Sequence, residues 1–167
     1  MNLRLRAIHS VVAVLSLIWP LAASAEPAFQ RLTPLLVDLE GWQGKKPDGM
    51  SMDLPGGSMT TATREYQKGS AKANAAVMTG QAASGALAPM QSGMNLSTSE
   101  GHMITDTMGG MKVMKTYTTA QKSGALLVAL DKDAMFSFSY TGLGEDEALA
   151  LAQKFDWKAI QAAAKSK

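Results

Sequence analysis

Between Gly101 and Thr141 the chain reads as four short runs of strand-forming residues broken by turn residues. The runs Gly101 to Thr107, Met111 to Ala120, Ala125 to Asp131 and Ala134 to Thr141 are separated by Gly109-Gly110, by Lys122-Ser123-Gly124 and by Lys132-Asp133. Separators this short join antiparallel neighbours, because a parallel crossover needs a much longer connection. In the last run Phe136 and Phe138 fall on one face and Ser137 and Ser139 on the other, the alternation of a strand lying against a core. Leu126, Leu127, Val128 and Leu130 are almost continuously apolar, which predicts a central strand covered on both sides.

The first half is less regular. Phe29, Leu32, Leu35, Leu36 and Leu39 recur near the helical period and Gly41 follows, so the spacing predicts a helix within Phe29 to Glu40. Thr33 as N-cap with Pro34 in the first turn would shorten it. Trp42 opens a stretch rich in Gly, Lys, Pro and Asp, in which Met50, Met52 and Leu54 alternate as an irregular strand before the Pro55-Gly56-Gly57 turn. Ser58 to Lys68 and Ala71 to Thr79 read as a hairpin, its second strand weakened by Ala. Gln81 to Met94 reads as a helix that Gly85 and Pro89 bend or weaken.

After the strands, Glu145, Asp146 and Glu147 sit where the positive end of a helix dipole favours them, and the helix continues through Leu149, Leu151, Ala152 and Phe155. Asp156 can cap a last helix from Trp157 to Ala164. This order predicts an α+β fold, an antiparallel sheet with helices packed on it, rather than a doubly wound parallel sheet. The expected core contains Leu127, Phe136, Phe138, Leu151, Phe155 and Ile160.

Residues 1–25 have a different character. Arg4 and Arg6 precede an apolar run from Ala7 to Ala22, and Ala23-Ser24-Ala25 carries small residues where a signal peptidase reads. The expectation is a cleavable signal peptide over residues 1–25, a single α+β domain over 26–167, and a periplasmic or secreted location. The apolar run is too short for a comfortable bilayer crossing, and no later window predicts a transmembrane segment in the mature chain. Arg4 and Arg6 account for two of the 16 basic residues, so 14 remain against 14 acidic ones in the mature chain. Without net positive charge the footprint of a nucleic-acid binder is missing. The chain has no cysteine, which removes disulfides and thiolate chemistry and leaves packing to hold the fold.

The segment Thr-Arg-Glu-Tyr-Gln-Lys-Gly at Thr63 to Gly69, the four late strands, and the closing Gly142 to Leu149 and Phe155 to Ile160 segments together resemble small exported bacterial proteins of unknown function. That resemblance implies the α/β/α sandwich of the PsbP-like fold, whose members serve as accessory and interaction modules, and it carries no catalytic residues to transfer.

The residues offer two kinds of site. Methionine is abundant, and soft thioether sulfur selects Cu(I) or Ag(I), so His102, Met103, Met108, Met111 and Met114 form a candidate copper-binding set. Against it, Met111 and Met114 differ by an odd number of positions and point apart on a strand, and flexible Met side chains fill irregular cores well. His102 is the only mature histidine, no Gly-x-Ser-x-Gly elbow accompanies it, and the acidic clusters at Asp131/Asp133 and Glu145 to Glu147 fit a turn and a helix start. Arg64 and Tyr66 share a strand face and could hold a carboxylate, or join a cross-strand pair. The second candidate is a partner surface on the Gly41 to Gly57 loop, with Trp42, Met50, Met52, Arg64 and Tyr66. The resulting expectation is a non-enzymatic interaction or binding module with no cofactor, taking an unknown protein or small molecule in the cell envelope; the alternative is a methionine-based copper or silver handler.

Overall fold

In the computed structural model, residues 27–165 are described. The expected signal peptide therefore lies outside the described residues. All nine strands belong to one antiparallel sheet: β1 (Gln43–Gly44), β2 (Asp48–Leu54), β3 (Gly57–Lys68), β4 (Ala71–Thr79), β5 (Leu96–Thr98), β6 (Gly101–Met108), β7 (Met111–Thr118), β8 (Ser123–Asp131) and β9 (Ala134–Thr141). Their spatial order is β1-β3-β4-β9-β8-β7-β6-β5, and β2 pairs β3 on the same edge as β1, at the other end of the strand. Two meanders meet where β4 pairs β9, Ala75 facing Phe138 and Val77 facing Phe136. The helices are α1 (Ala28–Leu32), α2 (Gln81–Gln91), α3 (Glu145–Ala152) and α4 (Trp157–Lys165), and among the described residues no helix is long and apolar enough to cross a membrane.

Register sorts the side chains into two layers. One face of the sheet presents Ala62, Tyr66, Ala73, Ala75, Val77, Val113, Leu126, Val128, Phe136, Phe138 and Tyr140 to α1, α3 and α4. Phe155 lies at its centre, its ring 5.1 Å from that of Phe136, 5.9 Å from Phe138 and 6.2 Å edge-on to Tyr66. The alanines of β4 have a place here: Ala73 stands between Tyr66 and Tyr140, and Ala75 between Arg64 and Phe138, so small residues make room for large neighbours. This packing overrides the weak strand propensity of alanine. Among the described residues the opposite face carries α2 alone, whose Ala83, Leu87 and Met90 cover Met114 and Met135, with Met78, Met103, Leu127 and Ala129 packed beside them.

Several sequence expectations change. The first helix ends at Leu32, continues as a 3-10 turn over Thr33–Leu35, and is irregular from Leu36 onward. Pro34 lacks the N–H that would continue the α1 ladder, and beyond the turn the carbonyls of Leu36 and Val37 are taken by Arg64 and Tyr66 of β3. The second helix stops at Gln91, ahead of Gly93. The third stops at Ala152, leaving Phe155 in a turn, and Asp156 Oδ1 accepts from the Ala159 N–H at 3.0 Å as the cap of α4. Leu127 is half-buried under α2 rather than in the main core, since it alternates with Leu126 and Val128, and Leu151 also packs only at the core's margin.

Candidate functional site

Arg64 and Tyr66 do share a face, the larger-core face, and both bind backbone there. Arg64 donates from Nε to the Lys45 carbonyl at 2.9 Å and from Nη1 to the Leu36 carbonyl at 2.7 Å, and it pairs with Asp38. The Tyr66 hydroxyl donates to the Val37 carbonyl at 2.7 Å, and the Arg64 guanidinium lies 5.3 Å from the Tyr66 ring centre. Burial pushes the Tyr66 phenol up to about 12, with Asp38 adding to the shift and Arg64 opposing it. Gly44 leaves room for this arrangement, because a Cβ there would stand 2.7 Å from Arg64 Nη2 and displace the guanidinium. Trp42 is half-buried against the same core. Met50 and Met52 are exposed and, through their pairing with Thr61 and Met59, project from the opposite face. The five loop-centred residues are therefore divided by the sheet.

The five residues of the copper set are divided in the same way. His102, Met108 and Met111 belong to the larger-core face, Met103 and Met114 to the face beneath α2. One ion cannot reach all five. His102 Nε2 lies 2.9 Å from Glu145 Oε1 and its ring 6.1 Å from that of Tyr117, so it ties β6 to the first turn of α3. Among the described residues no group of three or more His, Cys, Asp or Glu side chains could hold a metal ion.

What the sequence did not single out is the uncovered half of the α2 face. There β1, β3, β4 and β9 line a cleft of about 680 Å³. Alternation aims Gln43, Glu65, Gln67, Lys72, Asn74, Ser139 and Thr141 into it, while Tyr66, Ala73 and Tyr140 turn their side chains to the core and contribute backbone to the floor. On one wall Lys45 Nζ meets Glu65 Oε2 at 2.5 Å, and the bond and charge of Lys45 hold the Glu65 carboxyl below its usual value. Lys72 stands near enough to lower it further, yet forms no ion pair among the described residues. At the floor, Asn74 Oδ1 is buried without a hydrogen-bond partner among the described residues. The signal for this site was a lone Asn in the alanine run Ala71 to Ala76, visible but without meaning until the register is known.

Comparison with protein-family models, with curated proteins and with solved structures returns no match for this chain.

Proposed function

We propose that the protein is a non-enzymatic binding module of the cell envelope that holds a small hydroxylated or aminated carboxylate in the β1-β3-β4-β9 cleft. The observation that carries this reading is the polar cleft itself, with half-buried Asn74 at its floor and Lys72 beside it without an ion pair among the described residues. The Asn74 amide offers a donor and an acceptor at the floor, and Lys72 supplies positive charge for an anionic group. Gln43, Gln67, Ser139 and Thr141 add hydrogen-bonding groups of both polarities, suited to a ligand with several polar atoms. A membrane-free, exported location is the expectation from the Arg4 to Ala25 segment and enters the proposal on that ground.

Isothermal titration calorimetry with D-glucuronate and alanyl-alanine tests it, with D-glucose and alanyl-alaninamide as counterparts that lack the carboxylate. The carboxylates should bind about tenfold more tightly, the worth of one charge-assisted hydrogen bond. Lys72→Gln should abolish that difference, and Asn74→Leu should weaken the probes with and without the carboxylate alike. Absence of saturable heat for both carboxylates at millimolar concentration would overturn the ligand class.

A further inference from the structure

Two members of the methionine set are brought together by the fold. Met108 and Met111 are register partners on either side of the Gly109-Gly110 turn, so their side chains leave the hairpin on the same face. Directly paired residues hold their Cβ atoms about 5 Å apart, and the flexible methionine side chain lets two thioethers meet over that span. His102 stands at the other end of β6, about 20 Å back along the strand, and is engaged by Glu145. It does not join them.

Their neighbour is a residue that the sequence marks only as the start of the last helix. Trp157, with Phe155, lines the same pocket as Met108 and Met111, of about 420 Å³. The indole is fixed in place: its Nε1–H donates to the Ala152 carbonyl at 3.1 Å, and its ring lies 6.4 Å from that of Phe136. Gly109 brings the turn close to the indole, since a Cβ there would stand 4.0 Å from Trp157 Cε3 and Cζ3. Met111 and Trp157 are each 9% exposed, while Gly109, Gln153, Asp156 and Lys158 in the same lining are exposed. The soft groups are therefore shielded yet open to solvent through the pocket.

The donor chemistry selects the occupant. Thioether sulfur is a soft, neutral ligand that favours Cu(I), and an indole face attracts a nearby cation. Asp156 and Lys158 are the charged residues of the lining and cancel, and the Asp156 carboxylate is engaged in capping α4. With no net negative charge, the pocket suits a monovalent soft ion rather than a hard divalent one. We propose that Met108, Met111 and Trp157 form a site for one Cu(I) ion, the two sulfurs as ligands and the indole as a cation–π neighbour. The site lies on the sheet face opposite the β1-β3-β4-β9 cleft and shares no residue with it, so it is independent of the carboxylate reading.

Ag(I), soft and monovalent but inert to oxidation, is the first probe. In protein labelled with [methyl-13C]methionine, one equivalent of silver nitrate in chloride-free buffer should shift the ε-methyl signals of Met108 and Met111 together. The indole N–H signal of Trp157 should move with them. Anaerobic competition against bicinchoninate should give one tightly held Cu(I) per chain, and Met108→Leu or Met111→Leu should each weaken it about tenfold or more. Leucine conserves volume and apolar character, and a thermal melt checks that each variant is folded. Met103→Leu and Met114→Leu, on the α2 face, should leave the affinity unchanged. No binding at one equivalent, methyl shifts at exposed Met50, Met52 or Met94 in place of the pair, an unmoved Trp157 signal, or leucine variants at 108 and 111 that bind as tightly as the parent would each overturn the proposal.

Discussion

Arg64 illustrates how a residue with the chemistry of a binding site can be committed to the fold. Its side chain is 11% exposed while that of Asp38 is 87% exposed, so the ion pair is screened and contributes little; the bonds to the Leu36 and Lys45 carbonyls are the ones that matter. Arg64→Met should lower unfolding stability by about 1.5–3 kcal/mol, the range for a hydrogen bond to a charged group, and should speed amide exchange from Trp42 to Lys46. Denaturant unfolding and exchange mass spectrometry check these two effects. Tyr66 and Tyr140 are both pushed up to about 12, chiefly by burial. Because folding raises these pKa values above the ordinary 10, it favours the neutral phenols. Their contribution is complete below pH 10 and is lost as the pH rises from 10 through 12. A 295 nm titration should therefore show delayed phenolate absorbance, with alkaline unfolding in that window. The shared face of Arg64 and Tyr66 was legible from strand alternation. Their recipients were not, since Leu36 and Val37 lie 28 and 29 positions away and a backbone carbonyl leaves no mark in a sequence pattern.

At the level of elements, the strands were readable because turns and alternation are local. The late β6 to β9 meander follows the separators at Gly109-Gly110 and Lys132-Asp133. The edges were not, because β1 and β5 are two and three residues long and exist only through pairing. The layer that each strand face meets was also hidden, which is why Leu127 stands under α2 and not in the larger core. α2 holds its face alone, with Pro89 inside it and positive-φ glycines at Gly80 and Gly93 on either side. Gly80 cannot be replaced cheaply: its φ is +91° and a Cβ would stand 2.3 Å from the Ser58 carbonyl oxygen. Gly80→Ala should thus destabilise by about 2 kcal/mol or more, combining backbone strain with a forced shift. Leu87→Ala should cost about 2–5 kcal/mol. Native-state exchange should show α2 opening at lower free energy than β9, which is paired on both edges by β4 and β8.

For the whole molecule, one sheet face is the stable frame and the other is where chemistry is accessible. Phe155 touches rings from β3 and β9, so Phe155→Ala should cost about 3–5 kcal/mol in a denaturant melt; replacing Lys72 on the cleft side should leave the melt within about 0.5 kcal/mol. This division of labour underlies the proposed function, because a rigid packed layer fixes β3, β4 and β9 while their alternate residues remain open to a ligand. The most direct test is a backbone amide NMR titration of the protein with D-glucuronate. The account predicts saturable shifts confined to Glu65, Gln67, Lys72, Asn74, Ser139, Thr141 and their strand neighbours, with α2 and the Phe155 side unmoved. No saturable shifts, or shifts gathered under α2 or around Met108 and Trp157, would contradict it.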